Sequence, residues 1–364
     1  MSNYQFWLAQ PNTVRIKPLY PSRVEFVHLV GGVGVFSMVL PTIDIEAIKD
    51  APDRRIEILR RPRGGATRRE FYGFIQSWES KIDEGGKPEL VLSGHDATGL
   101  LARRMVVDSA GQLYLALAAK AADDAMKDAV RDNITAATDT DRNLNIITVD
   151  PDLTAGTTIT RDFISSSLLS TLQDLQAYTK ENGAEVFWGM RPDGSNWTFE
   201  TQVGQLGRDR SSTGSSPLIF GTSWRNVTNV SEITNYTNAL SNVYSLGSGL
   251  DANQATQEVI NTTLRNASIY GRREGSTYAT STDTAAALSD AGEEALTYSR
   301  PLRRIVMDLL DTPTTPYGTA SGWNVGDKIT TDINGRRRDA IIRSVRVVVE
   351  RGRETIRGNV EVTE

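Results

Sequence analysis

The chain has 364 residues, of which 39% are hydrophobic and 23% charged, with 40 Lys/Arg against 45 Asp/Glu and a formal net charge of −5. Such a length and balance suit two or three packed domains of ordinary globular type. The absence of cysteine excludes disulfides, Cys-ligated zinc, iron–sulfur clusters and a cysteine nucleophile, and the two histidines, His28 and His95, are too far apart for an HExxH helix.

The N-terminus lacks a basic start followed by an apolar run, and no stretch approaches 18 consecutive apolar residues, so a soluble chain made in the cytoplasm, without stable membrane insertion, is expected. Charge is uneven. Residues 1–105 carry 15 Lys/Arg against 12 Asp/Glu and residues 301–364 carry 11 against 9, which leaves an acidic centre and suggests separate domains.

Apolar–polar alternation predicts strands at 4–8, 14–19, 23–27, 34–40, 55–60, 70–79 and 89–94, separated by turns rich in Asn, Pro and Gly such as Arg63-Gly64-Gly65 and Glu84-Gly85-Gly86. Seven short strands at this spacing indicate a barrel or sandwich. Residues 113–133, with Ala, Leu and Met at three- and four-residue spacing and Lys and Asp between them, predict one long amphipathic helix. A second helix is expected from Leu168 to Tyr178, stopping near Asn182-Gly183. Two strands, 184–190 and 197–201, then follow as a hairpin through Arg191-Pro192-Asp193-Gly194-Ser195. Residues 204–217 read as an exposed loop, 224–233 and 239–247 as strands, and 284–298 as a helix with Asp283 as N-cap. Strands return at 302–310, 328–331, 339–350 and 355–362.

Few residues suggest chemistry. Adjacent strand residues such as His95 and Asp96 face opposite ways, so the pair reads as a strand closing into a turn. Gly31-Gly32-Val33-Gly34 lies between two strands without the helix a phosphate loop needs. The Asp139–Asp141 and Asp150–Asp152 stretches lack the glycine and terminal Glu of a calcium loop. No catalytic residue, cofactor or metal is expected. The arginine clusters Arg60, Arg61 and Arg63 with Arg68 and Arg69, and Arg336, Arg337 and Arg338, sit at or beside predicted hairpin tips. Arg suits planar contacts across a subunit interface, and the acidic net charge favours that reading, or a solvated loop, over nucleic acid.

The order of these elements resembles the tail-tip hub proteins of long-tailed, non-contractile bacteriophages, similar to the N-terminal hub part of tail-associated lysins. The resemblance rests on Tyr4–Leu8, Gly31–Phe36, Arg54–Ile58 and Ser93–Arg104, then on Ala122–Lys127, Asn242–Gly247, Gly292–Leu296 before Arg300-Pro301, and Trp323–Ile329. It implies an α+β, mainly β fold with two hub-type β-barrels and an intervening α/β domain. Residues 1–105 would form the first barrel and 106–237 the middle domain. A connecting region, 238–299, would contribute in part to a second barrel of residues 300–364, through a strand near 239–247.

The resemblance further implies a homotrimeric ring joining the six-fold tail tube and distal tail ring to a three-fold tip, and closing or gating the channel before DNA ejection. Its partners would be the distal tail protein ring, the tape-measure protein, tail fibre or receptor-binding proteins and DNA in transit, and its place the virion tail tip. Many relatives carry C-terminal peptidoglycan-cleaving or receptor-binding modules, whereas this chain ends at Glu364 after the last predicted strand, so lytic activity is not expected in it. The alternative is a baseplate carbohydrate-binding or peptidoglycan-cleaving protein using Glu185 and Glu200, which retaining hydrolysis would need roughly 5 Å apart. A DNA-binding reading of the Arg loops predicts steep salt dependence.

Overall fold

The computed structural model describes residues 3–11, 14–40, 53–62, 65–82, 85–249, 253–279 and 284–362. It divides into two compact units, residues 1–229 with 307–364 and residues 230–306. The fold is mainly β, with several sheets and a smaller helical share.

The first unit opens with β1 (Tyr4–Ala9), β2 (Arg15–Leu19), β3 (Arg23–Leu29), β4 (Val35–Leu40), β5 (Arg55–Arg60), β6 (Arg68–Ile82) and β7 (Pro88–His95), adjacent in the order β3-β4-β7-β6-β5-β1-β2. Period-two alternation is the reason: Tyr4, Phe6 and Leu8 are buried while Gln5 is exposed. The inner face gathers Phe26, Phe36 and Phe71 with ring centroids 5.6–5.7 Å apart, and each such pair adds about 0.5–1.5 kcal/mol beyond its buried area. Pro18 sits in β2, the end strand of this sheet, where a missing N–H is tolerated.

The long helix expected at 113–133 divides. Tyr114–Ala121 is a strand, β8, and only Ala122–Val130 is α-helical, α1, continued by a π turn at Arg131–Thr135. Alanine satisfies a period of two and a period of 3.6 alike, and the strand wins because it pairs with Thr158–Ile164, which buries Leu115 and Leu117 and leaves Ala116 and Ala118 exposed. Two of the four charges of α1 do not face water either. Asp123 is fully buried and accepts the N–H groups of Leu153 (2.8 Å) and Ala155 (2.7 Å), while Lys127, 1% exposed, donates to Asp123 (3.2 Å) and to the Pro151 carbonyl (2.6 Å).

Next come β9 (Ile147–Val149), β10 (Thr158–Ile164), α2 (Leu168–Asn182, with Ser167 as N-cap and Gly183 following), β11 (Val186–Asp193) and β12 (Asn196–Val203). β8 pairs with β10, and β12 lies between β11 and β9; α1, α2 and these strands enclose one core through Met126, Leu172, Leu175, Trp188 and Phe199. Inside the segment expected to be loop, β13 (Asp209–Arg210) forms, and β14 (Ile219–Gly221) follows it. Arg225 then closes a short 3-10 turn, and β15 (Val227–Asn235) begins three residues after the expected start.

The second unit contains β16 (Asn242–Leu246), β17 (Thr256–Ile260), α3 (Thr262–Ala267), β18 (Glu274–Tyr278) and α4 (Ala285–Tyr298). β16 lies between antiparallel β17 and parallel β18, so among the described residues its partners are these neighbours and not the strands of 300–364. Thr284 caps α4; the expected cap Asp283 lies outside the described residues, as do Arg63 and Gly64 of one predicted turn and Glu84 of another.

Four strands complete the main sheet: β19 (Leu302–Leu310), β20 (Lys328–Ile333), β21 (Arg336–Glu350) and β22 (Arg353–Val362). β21 pairs with β22 on one side and, over Ser344↔Leu29 to Glu350↔Arg23, with β3 on the other. The two strand arcs, expected as separate barrels, are therefore one continuous sheet of 14 strands among the described residues, with β13 and β14 added in parallel to β20.

Candidate functional site

The arginines of the first cluster tie the two ends of the chain together. Arg60, on the inner face of β5, is 2% exposed and donates from Nε and Nη2 to the two oxygens of Glu354 (3.2 and 3.3 Å) and from Nη1 to the Tyr317 carbonyl (3.1 Å). Arg68 donates to Glu70 (2.9 Å) and to the Gly318 carbonyl (3.0 Å). Gly318 has φ +78°, which favours glycine, and a Cβ there would fall 2.4 Å from the Arg68 guanidinium, which would have to shift. Burial works against the Glu70 charge, but the Arg68 guanidinium and the Tyr317 hydroxyl overcome it and hold the carboxyl below the usual range.

On the opposite face of β5, Arg55 is fully buried. It donates from Nη1 to the Tyr72 hydroxyl and to the Ser195 carbonyl, both at 2.7 Å, and its guanidinium lies 4.3 Å from the Trp197 ring and 5.2 Å from that of Phe74. Its Nε and Nη2 have no hydrogen-bond partner, so the aromatic faces are its principal compensation. This cage pins the β11–β12 hairpin to the main sheet. Arg343 of β21 does the same at the far end of the hairpin, donating from both terminal nitrogens to Glu185 (2.9 and 2.8 Å) and from Nε to Glu361. Arg210, 4% exposed, joins the β13–β14 loop, through the Ser216 carbonyl, to the loop before β20, through the carbonyls of Ala320, Ser321 and Gly322.

Sequence spacing does not distinguish such buried arginines from exposed ones, and Arg55, Arg210 and Arg343 were not singled out by it. Of the expected interface candidates, Arg60 is corrected: its side chain points into the molecule and is consumed by internal ion pairs, because β5 is covered on both faces. Arg68 and Arg69 are half-buried, and Arg69 pairs with Glu57 at 2.9 Å. Arg61 is exposed and Arg63 lies outside the described residues. Arg336 and Arg337 are exposed at the β20–β21 tip, with Arg337 beside Asp332 (3.2 Å); Arg338 is half-buried.

The other candidates take structural roles. His95 ends β7 and contacts the Asp96 carbonyl, not its carboxylate; that carboxylate accepts the N–H groups of Thr98 (3.0 Å) and Gly34 (3.1 Å) and caps a 3-10 turn. Burial lowers the His95 and His28 imidazole pKa values and raises the Asp96 carboxyl to about 6. Gly31 turns β3 into β4 with φ +64°. Asp139 caps a short turn, and no group of three His, Asp or Glu close enough to hold a metal ion occurs among the described residues. Glu185 and Glu200 are not brought together: Glu200 stands opposite Gly189 of β11, four residues past Glu185, which immediately precedes that strand, a separation of about 13 Å at strand spacing. Glu185 is held by Arg343 and Glu200 by Arg191 (2.7 Å), so the pair does not flank a bond to be cut.

Comparison with solved structures finds the same fold over the whole chain. The tail protein from Neisseria meningitidis MC58 superimposes with a TM-score of 0.60 at 15% identity, covering 100% of this chain and 97% of that one. The 43 kDa tail protein of prophage MuSo2 from Shewanella oneidensis gives 0.61 at 12% identity, covering 98% and 97%. A chain of the lidded Francisella PdpA-VgrG complex gives 0.51 at 14% identity, with 99% of this chain covering 52% of that chain. No curated protein matches. The family model for Siphovirus ReqiPepy6 Gp37-like proteins matches residues 63–360, so the chain belongs to that family of siphovirus tail proteins.

Proposed function

We propose that the chain is a non-enzymatic subunit of a trimeric hub at the phage tail tip. The β3–β21 pairing supports this reading, because it joins two strand arcs in one continuous sheet, so that each chain carries two β arcs and three chains carry six. That arithmetic fits a six-fold distal tail ring to a three-fold tip. In this reading residues 1–105 and 300–364 supply the two strand arcs of the continuous sheet, 106–237 the α/β body between them in the chain, and 238–299 the connection to the last strands. The ring closes or gates the channel before DNA ejection, contacts the tape-measure protein and carries fibre or receptor-binding proteins. Among the described residues, Arg336, Arg337 and Arg61 are the exposed members of the arginine clusters left to meet a neighbouring subunit.

Solution mass by light scattering tests the reading. A trimer near three times 39.9 kDa is expected, and reversal of charge in an R336E/R337E variant should shift it toward monomer by at least tenfold in dissociation constant. A monomer at tens of micromolar that stays monomeric when mixed with its distal tail ring rejects the hub.

A further inference from the structure

Within the first unit, a cleft of about 720 Å³ opens between the start of β6, the face of the β11–β12 hairpin and the segment 317–325, a volume typical of ligand sites. Its floor is Gly189, where an added Cβ would meet nothing within 4 Å, so the sheet face is uncovered at that point. Four carboxylates line the cleft, Glu70, Asp96, Asp150 and Glu200, against two guanidiniums. Both cations are already neutralised, Arg68 by Glu70 and Arg69 by Glu57. Glu70 is spent on Arg68 and Asp96 on the N–H groups of Thr98 and Gly34, so the acids left for a ligand are Asp150, which forms no ion pair among the described residues, and Glu200, whose pair with Arg191 is an exposed one that a competing cation can exchange.

We propose that this cleft binds a Lys- or Arg-bearing extended segment of another tail component. Excess negative charge in a partly enclosed groove selects a cationic occupant and raises its local concentration. The open face over Gly189 gives room for the main chain, and Asp150 and Glu200 take the side-chain charge. The proposal rests on the tail-hub reading, since it supposes a partner protein within the same assembly.

The test is calorimetric titration with an acetylated, amidated five-residue lysine–glycine peptide, alongside a glutamate–glycine peptide and a chitin trisaccharide. The cationic peptide alone should bind, at least tenfold more weakly in G189L and about threefold more weakly in D150N. G189L fills open space, so its urea midpoint should match the parent; should it unfold, a D150N/E200Q variant carries the same comparison. Undiminished peptide binding in these variants, no binding by the parent, or binding of the saccharide instead overturns the proposal. Light scattering on the same samples separates the two readings, because a trimer that ignores the peptide rejects the cleft alone, whereas a monomer that binds it rejects only the hub.

Discussion

Replacing Arg55 by methionine keeps roughly the shape of the side chain and removes its charge and donors, which isolates the aromatic cage. Two hydrogen bonds of 2.7 Å disappear, leaving the Ser195 carbonyl and Tyr72 hydroxyl without this donor, and a cation 4.3 Å from the Trp197 ring is lost. A desolvated cation–π contact is worth about 2 kcal/mol, and each buried polar group left unpaired costs about 1–3 kcal/mol. Methionine recovers some of this by adding apolar contact and by abolishing the burial of Nε and Nη2, which have no partner in the native cage. The expected net loss is about 2–4 kcal/mol, read as a lower urea midpoint with little change in slope. Because Trp197 lies against the guanidinium, its fluorescence should report the loosened hairpin before the global transition, with proteolysis near Gly194 accelerated. An R55M chain as stable as the parent would show that the arginine is tolerated by the cage without stabilising it, and would refute the argument.

Three other outcomes follow from the same structure. Truncation of Asp123 to alanine should cost about 3–5 kcal/mol, because it leaves the Lys127 ammonium buried and unpaired and frees the N–H groups of Leu153 and Ala155; a loss below 1 kcal/mol in denaturant titration contradicts this. Asp96 is raised from 3.8 to about 6 in the fold, so the native state holds its proton more tightly than the unfolded chain. Its contribution to stability is complete below about pH 4 and is lost as pH rises through about 6, on the order of 3 kcal/mol. Asp96→Asn removes that titration, so stability relative to the parent should climb between pH 4 and 6; a flat difference curve contradicts the assignment. Gly318→Ala must enter a φ of +78° and meet the Arg68 guanidinium, and should lower the thermal midpoint by several degrees, whereas an unchanged midpoint would mean that the loop can move away freely.

Strands were legible where one face meets water and the other a core, as in β1 with Tyr4, Phe6 and Leu8 facing in. The helix α2 was legible from its spacing and its glycine stop. Legibility failed at 114–121, where alanine satisfies a period of two and a period of 3.6 equally well and long-range pairing with β10 decides. It failed also for the charges that matter most. Arg55, Arg60, Asp123 and Lys127 look in sequence like any solvated residue, since their burial depends on partners 140 to 294 positions away for Arg55 and Arg60 and on the 151–155 loop for the helix pair. The exposed arginines of the β20–β21 tip were readable because two-residue turns project by construction.

Pairing of β3 with β21 also governs the order in which the molecule can be completed. The strand Arg23–Leu29 is made early in synthesis, yet its neighbour at Ser344–Glu350 emerges more than three hundred residues later. At ribosomal rates of about 5–20 residues per second, that leaves an unpaired apolar edge waiting for tens of seconds. Contacts of such sequence separation are entropically late and slow. Until β21 arrives, the nascent chain has a strand ready to accept the wrong partner, and segments 106–300 can be lengthened or exchanged only as far as they still deliver the last strands to the first ones.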